Sequence, residues 1–349
     1  MGVSRSMSKF AALCAVLAVL AACTQVDKEA AIKLADAGKT AATNGAAEAA
    51  AARADFVAGG ERSAALQLLG RAAAPVYTRQ AEFDPPDQAA NKRRLKIAAV
   101  LKQREASLAS LAATYGEMAA LASADPGANV RKAAADLVDK TNGLAAAVNA
   151  LALPGLPVIP LIAKTAGAVF GEVAALYAEE RQRQEILATN EIIRDALNVL
   201  RESLKRERIY VAAIRQEVAV ARESLANAAL NQGLVDQSAA VARIAELAGF
   251  APVKDTTAAV AGARIDGDSE QKRRQRLVWA LAGFEKFRAM AKADAVADAN
   301  AALEKALEKL DAGHISLAER QPFGANEALA LAMSIKEAVE RIRAAEEGQ

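Results

Sequence analysis

Aromatic residues make up only 4% of this 349-residue chain, and its net charge at neutral pH is only +2. No overall basic excess favours nucleic acid, which selects for a strongly cationic face. β-Branched and aromatic residues never alternate over a useful length, so strand signals are nearly absent. Alanine dominates instead, and alanine is the strongest helix former. The composition predicts an all-α fold held by closely approaching helices.

The first residues form a separate unit. Arg5 and Lys9 precede an uninterrupted apolar run from Phe10 to Ala22, and no acidic residue occurs before it ends. A basic start, a short apolar run and a small-residue cleavage site are the parts of a secretory signal. Thirteen helical residues reach only about 20 Å, short of the roughly 30 Å of a hydrocarbon core, so this run does not span a membrane. Met7 offers a second possible start. The opening Met1-Gly2-Val3-Ser4-Arg5-Ser6 also fits a myristoylation pattern, but that pattern leaves the apolar run unexplained.

The run ends in Leu20-Ala21-Ala22-Cys23, and this stretch resembles the lipobox of bacterial lipoproteins. The resemblance covers the signal alone. It implies cleavage before Cys23, lipidation of Cys23 and attachment to a membrane through acyl chains. Thr24 stands where an aspartate would imply inner-membrane retention, so the implied address is the outer membrane, facing the periplasm.

Removing Arg5 and Lys9 from 44 basic residues leaves 42, equal to the 42 acidic ones. Cys14 would leave with the signal and Cys23 would carry lipid, leaving no thiol for a disulfide. The single histidine, His314, then has no thiol partner for a zinc site or a Cys–His nucleophile. No Gly-x-Ser-x-Gly elbow exposes a serine for a triad. His314 lies in Gly313-His314-Ile315-Ser316, which predicts an ordinary loop residue near a helix C-terminus. Gly38-Lys39-Thr40 resembles the end of a phosphate loop, but Lys33 occupies the required glycine position. Asp266-Gly267-Asp268 carries too few spaced oxygens for calcium. Lys92-Arg93-Arg94, Lys205-Arg206 and Lys272-Arg273-Arg274 have acidic residues nearby, as solvated helix faces do. Hence no catalytic residue, metal or cofactor is expected, and a non-enzymatic role is.

Four segments follow from the punctuation. Residues 1–22 form the signal and 23–86 an alanine-rich tether with short helices, interrupted by Gly38, Gly45, Gly59 and Gly60. Residues 87–232 form a long helical hairpin, and 233–349 form C-terminal helices that pack on the bundle. Within the hairpin, Ile97, Leu101, Arg104, Leu108, Leu111, Tyr115 and Met118 share one stripe. Val130, Ala134, Leu137, Thr141, Leu144 and Val148 alternate by four and three. Ile186, Ile193, Leu200, Glu207, Ile214 and Ala221 fall on one heptad position, with Leu197, Leu204, Val211, Val218 and Leu225 on the other. These are coiled-coil-like seams. A helix over 161–231 would extend about 105 Å, with the two preceding segments antiparallel along it. Glu207 either pairs with an arginine or lies where the seam widens to solvent, and the solvent position is expected. Trp279, Leu281, Phe284 and Phe287 read as an aromatic core, and Gly313–Gly324 as a turn.

Gly143–Ala163 contains no charge, and within it Pro154, Pro157 and Pro160 recur every third residue. Prolines at that spacing forbid one continuous helix. Loop tips are normally polar, yet this one offers Leu153, Leu156, Val158, Ile159, Leu161 and Ile162. It is either buried by the C-terminal helices, a docking surface for an envelope protein or a second copy, or a membrane-inserting tongue. Beyond it Gly167 and Gly171 form a small-xxx-small motif. The last alternative looks, in outline, like α-helical pore-forming toxins. The expectation is a lipid-anchored envelope scaffold or tether that makes contact through this tip, with a membrane-perturbing protein as the other functional class.

Overall fold

A computed structural model describes residues 28–72, 88–123, 129–152, 155–163, 169–170, 178–231, 270–319, 321 and 325–347. Six long helices account for nearly all of them: α1 (Lys28–Ala72), α2 (Gln88–Ala122), α3 (Val130–Asn149), α4 (Ala178–Asn231), α5 (Glu270–Glu319) and α6 (Ala325–Glu347). No strand occurs among the described residues, and the fold is an all-α bundle. No helix among them is long and apolar enough to cross a membrane. Cys23 and the whole signal lie outside the described residues.

The expected tether is the centre of the bundle over residues 28–72. α1 runs for 45 residues and packs on α2, α4, α5 and α6. Its buried positions Ala31, Ala35, Gly38, Ala42, Gly45, Ala49, Ala52 and Phe56 alternate by four and three, the spacing of a coiled-coil seam. A second buried line, Leu34, Ala37, Ala41 and Glu48, faces another side. Small residues on both lines let large partners approach the backbone. A Cβ on Gly38 would overlap the Tyr115 ring, and one on Gly45 would stand 2.9 Å from a Leu303 methyl. Glycine serves close packing here, not flexibility.

Pairings between side chains set the helix directions. Gly38 meets Tyr115 and Glu48 meets Arg104, so α1 and α2 are antiparallel. The Thr114 hydroxyl donates to the Ala133 carbonyl at 3.2 Å and the Ser107 hydroxyl to the Lys140 carbonyl at 2.9 Å, so α2 and α3 are antiparallel. Arg131 pairs with Glu185 and Asn149 meets Arg206, so α3 and α4 run the same way. Asn190 meets His314 and Lys286 pairs with Glu223, so α5 returns antiparallel to α4. α6 packs on α5 and α1, where the Asn44 amide donates to the Ala332 carbonyl at 2.8 Å.

This path differs from the single hairpin expected over 87–232. α2 and α3 lie side by side instead of end to end along α4. α3 and α4 run parallel, and the described part of the chain between them, paired with Asn149 and Asn142, runs back along α3. The proline-rich segment begins that return.

The seam positions fill the core. Ile97, Leu101, Leu108, Leu111, Tyr115 and Met118 of α2 are all buried, as are Val130, Ala134, Leu137, Thr141, Leu144 and Val148 of α3. Ile186, Ile193, Leu197, Leu200 and Leu204 of α4 join them, with Leu303, Leu307 and Leu310 of α5 and Ile335 and Val339 of α6. Among the expected aromatic core residues, Trp279 is 59% exposed and Phe287 66%, while Phe284 is half-buried. The side chains of Leu281 and of the α4 seam positions Val211, Ile214, Val218, Ala221 and Leu225 lie outside the described ones.

Candidate functional site

The return segment is built from its own periodicity. Ile159 and Ile162, three residues apart, are buried, and Leu156, three residues earlier, sits at the edge of exposure. Pro157 and Pro160 form a second line and Val158 and Leu161 a third, all exposed. A three-residue repeat is that of a polyproline helix, which proline favours because its ring presets φ.

Two asparagines of α3 hold this strap. Asn149 accepts from the Ile159 N–H at 2.9 Å and donates to the Ile159 carbonyl at 3.0 Å. Asn142 accepts from the Ile162 N–H at 2.7 Å and donates to the Ile162 carbonyl at 3.2 Å. The spacings match: seven helical residues rise about 10.5 Å, and three polyproline residues about 9.3 Å. The strap therefore runs antiparallel to α3. Arg206 of α4 fastens its start by donating to the Pro157 carbonyl, and its other terminal nitrogen lies 3.4 Å from Asn149 Oδ1. The preceding corner uses left-handed backbone at Ala152 (φ 48°) and Gly155 (φ 77°).

Of the six residues singled out by sequence, Ile159 and Ile162 are therefore anchors in the core and not part of a free surface. Buried backbone amides paired by Asn149 and Asn142 hold them there. Leu156, Val158 and Leu161 are exposed, at 36%, 75% and 58%. Leu153 lies outside the described residues, as do Gly167 and Gly171. The holding residues Asn142, Asn149 and Arg206 escaped sequence reasoning. Two asparagines seven apart, just before prolines three apart, were the available signal.

Two buried polar clusters lie deeper. His314 is not a loop residue: α5 continues through Gly313 to Glu319, and the imidazole is fully buried. Tyr115 Oη lies 2.8 Å from His314 Nε2, and the rings stack with centroids 5.6 Å apart. The Asn190 amide donates to the His314 carbonyl at 3.1 Å, so its oxygen faces Nδ1 and accepts from it. That pattern assigns a neutral ring with the proton on Nδ1, while Nε2 accepts from the tyrosine hydroxyl. Burial, with Arg194 nearby, lowers the His314 pKa to about 3, and burial also raises that of Tyr115.

Glu207 does not face solvent either. Arg104 of α2 reaches Glu48 of α1, Glu207 of α4 and Asn300 of α5, all buried. The guanidinium was visible as a polar member of an apolar stripe, but its partners lie on three other helices. An open groove of about 550 Å³ lies between α1 and α2, lined by Val57, Leu95 and alanines, with Arg53, Glu61 and Lys102 at its edges. Among the described residues, no three His, Cys, Asp or Glu side chains are grouped to hold a metal ion.

Comparison with protein-family models, curated proteins and solved structures returns no match for this chain.

Proposed function

We propose that this chain is a lipid-anchored envelope protein, a non-enzymatic helical scaffold that holds its proline strap out to a partner protein. Cys23 carries the anchor, and Val158 and Leu161, beside Pro157 and Pro160, make the contact. The single observation that supports the contact is the pinning of the strap. Large aliphatic side chains stand exposed on backbone already fixed by Asn142, Asn149 and Arg206. A preformed segment loses little conformational freedom on binding. Isolated exposed apolar residues are ordinary, but a rigid line of them bordered by prolines suits a groove that receives extended chain.

Cys23→Ala removes the lipid, and the precursor then leaves the detergent phase; continued partition into detergent would refute the anchor. For the contact, protein beginning at Thr24 is mixed with dye-loaded anionic vesicles, beside a Val158→Glu/Leu161→Glu double variant. Neither should release dye if the strap serves a protein partner. Release by the parent chain alone would instead place the strap in bilayers and favour a membrane-perturbing function.

A further inference from the structure

One guanidinium lies between two acids inside the bundle. Arg104 Nη2 meets Glu48 Oε2 and Nη1 meets Glu207 Oε2, each at 2.5 Å, with all three side chains 0% exposed. Arginine stays protonated in proteins. Ionising both acids would therefore seal one excess negative charge in the core, which costs far more than keeping one carboxyl neutral.

The donors decide which acid gives way. Glu207 has both oxygens served, Oε2 by Arg104 and Oε1 by the Asn300 amide at 3.3 Å. Asn300 is itself oriented by Arg104, whose Nη1 donates to its Oδ1 at 2.9 Å. Glu48 has only Oε2 served; its buried Oε1 has no hydrogen-bond partner. The carboxylate with fewer donors is the less stable anion.

We propose that Glu48 is a proton-binding site of the folded bundle, a carboxyl that takes up a proton on folding in weakly acidic solution. The groups facing it are Arg104 from α2, Glu207 from α4 and the uncharged Asn300 from α5. α6 turns buried Ala332, Ile335 and Val339 towards the core. Along α1, Asp55 is paired with Lys292 at 2.9 Å. Desolvation is the strongest influence on Glu48 and raises its pKa, Arg104 lowers it and Glu207 raises it, leaving it at about 7 against an ordinary 4.5.

The sign follows from linkage. Between pH 4.5 and about 7 the folded chain holds a proton that the unfolded chain has lost. The contribution of Glu48 to stability is thus full below 4.5, falls as pH rises and is constant above about 7. His314 acts oppositely. Its folded value of about 3 against an ordinary 6.5 makes stability fall as pH drops below 6.5. Across the shared window from 4.5 to 6.5 the two slopes cancel.

Urea titrations of the full chain in steps from about pH 4.5 to 7 test this, comparing wild type with Glu48→Gln and Glu207→Gln. Glutamine keeps the shape of the glutamate and removes its proton equilibrium. The folding constant of Glu48→Gln relative to wild type should rise about tenfold per pH unit through the window. Parallel profiles would overturn the proposal, and so would finding that slope only in Glu207→Gln. If Glu48→Gln does not fold, infrared spectra of wild type at about pH 6 decide the matter. A protonated-carboxyl C=O band that vanishes on unfolding is expected, and its absence overturns the assignment.

Discussion

Arg104 on α2 and Glu207 on α4, 103 positions apart in the chain, meet at 2.5 Å with no exposure to solvent. Together with Glu48 and Asn300 they join four helices at one level of the bundle. Arg104→Ala would leave two buried acids without their cation. The expected loss is about 3–5 kcal/mol in urea unfolding, the usual result of breaking a buried ion pair on one side. A loss below about 1 kcal/mol would mean that water reaches the cluster.

Gly38 and Gly283 should respond oppositely to the same change. Gly38→Ala drives a methyl into the Tyr115 ring, which cannot swing away because its hydroxyl is tied to His314. Overpacking of this kind costs about 1–3 kcal/mol. Among the described residues nothing lies within 4 Å of a Cβ on exposed Gly283, within α5, so Gly283→Ala should stabilise by about 0.5–1 kcal/mol. Thermal unfolding of the two variants checks both signs.

His314 predicts an acid limb. Its neutral ring accepts from Tyr115 and donates to Asn190, and its folded pKa of about 3 lies below the ordinary 6.5. The stability it supplies is whole above 6.5 and drains as pH falls towards 3. Below 4.5 Glu48 no longer offsets this loss, so stability should drop there by about tenfold in equilibrium constant per pH unit. His314→Gln, which lacks a titrating ring, should shorten the limb. Unchanged acid titrations in the variant would contradict the buried neutral ring.

Seam positions on α2, α3 and the first half of α4 were legible in the sequence because large aliphatic side chains contrast with polar neighbours at four-three spacing. α1 was not legible, because alanine on every face offers no such contrast. Its glycines signal equally well a flexible tether and a close approach. Gly313 suggested a stop for the same reason, yet it is buried within α5. Trp279 and Phe287 were read as core because they are aromatic, but the helix turns them outward. For the strap, proline spacing announced extended backbone. Its direction depended on α3 and α4 being parallel, which follows from distant pairs such as Arg131 with Glu185.

Asn149 should matter far more than the side chain it displays. Asn149→Ala strips both backbone partners from buried Ile159, a loss of about 1–3 kcal/mol, and should speed hydrogen exchange at the Ile159 amide. Val158→Glu, on the exposed line beside it, should change stability by less than about 0.5 kcal/mol. Equal effects from the two would mean that the strap is not held as described.

The most direct test of the scaffold reading places a photo-cross-linking residue at Val158 or Leu161 in cells, with exposed Ala109 of α2 as the control. The account predicts a discrete protein adduct from the two strap positions and none from Ala109. Lipid adducts alone, or equal labelling from all three positions, would contradict it.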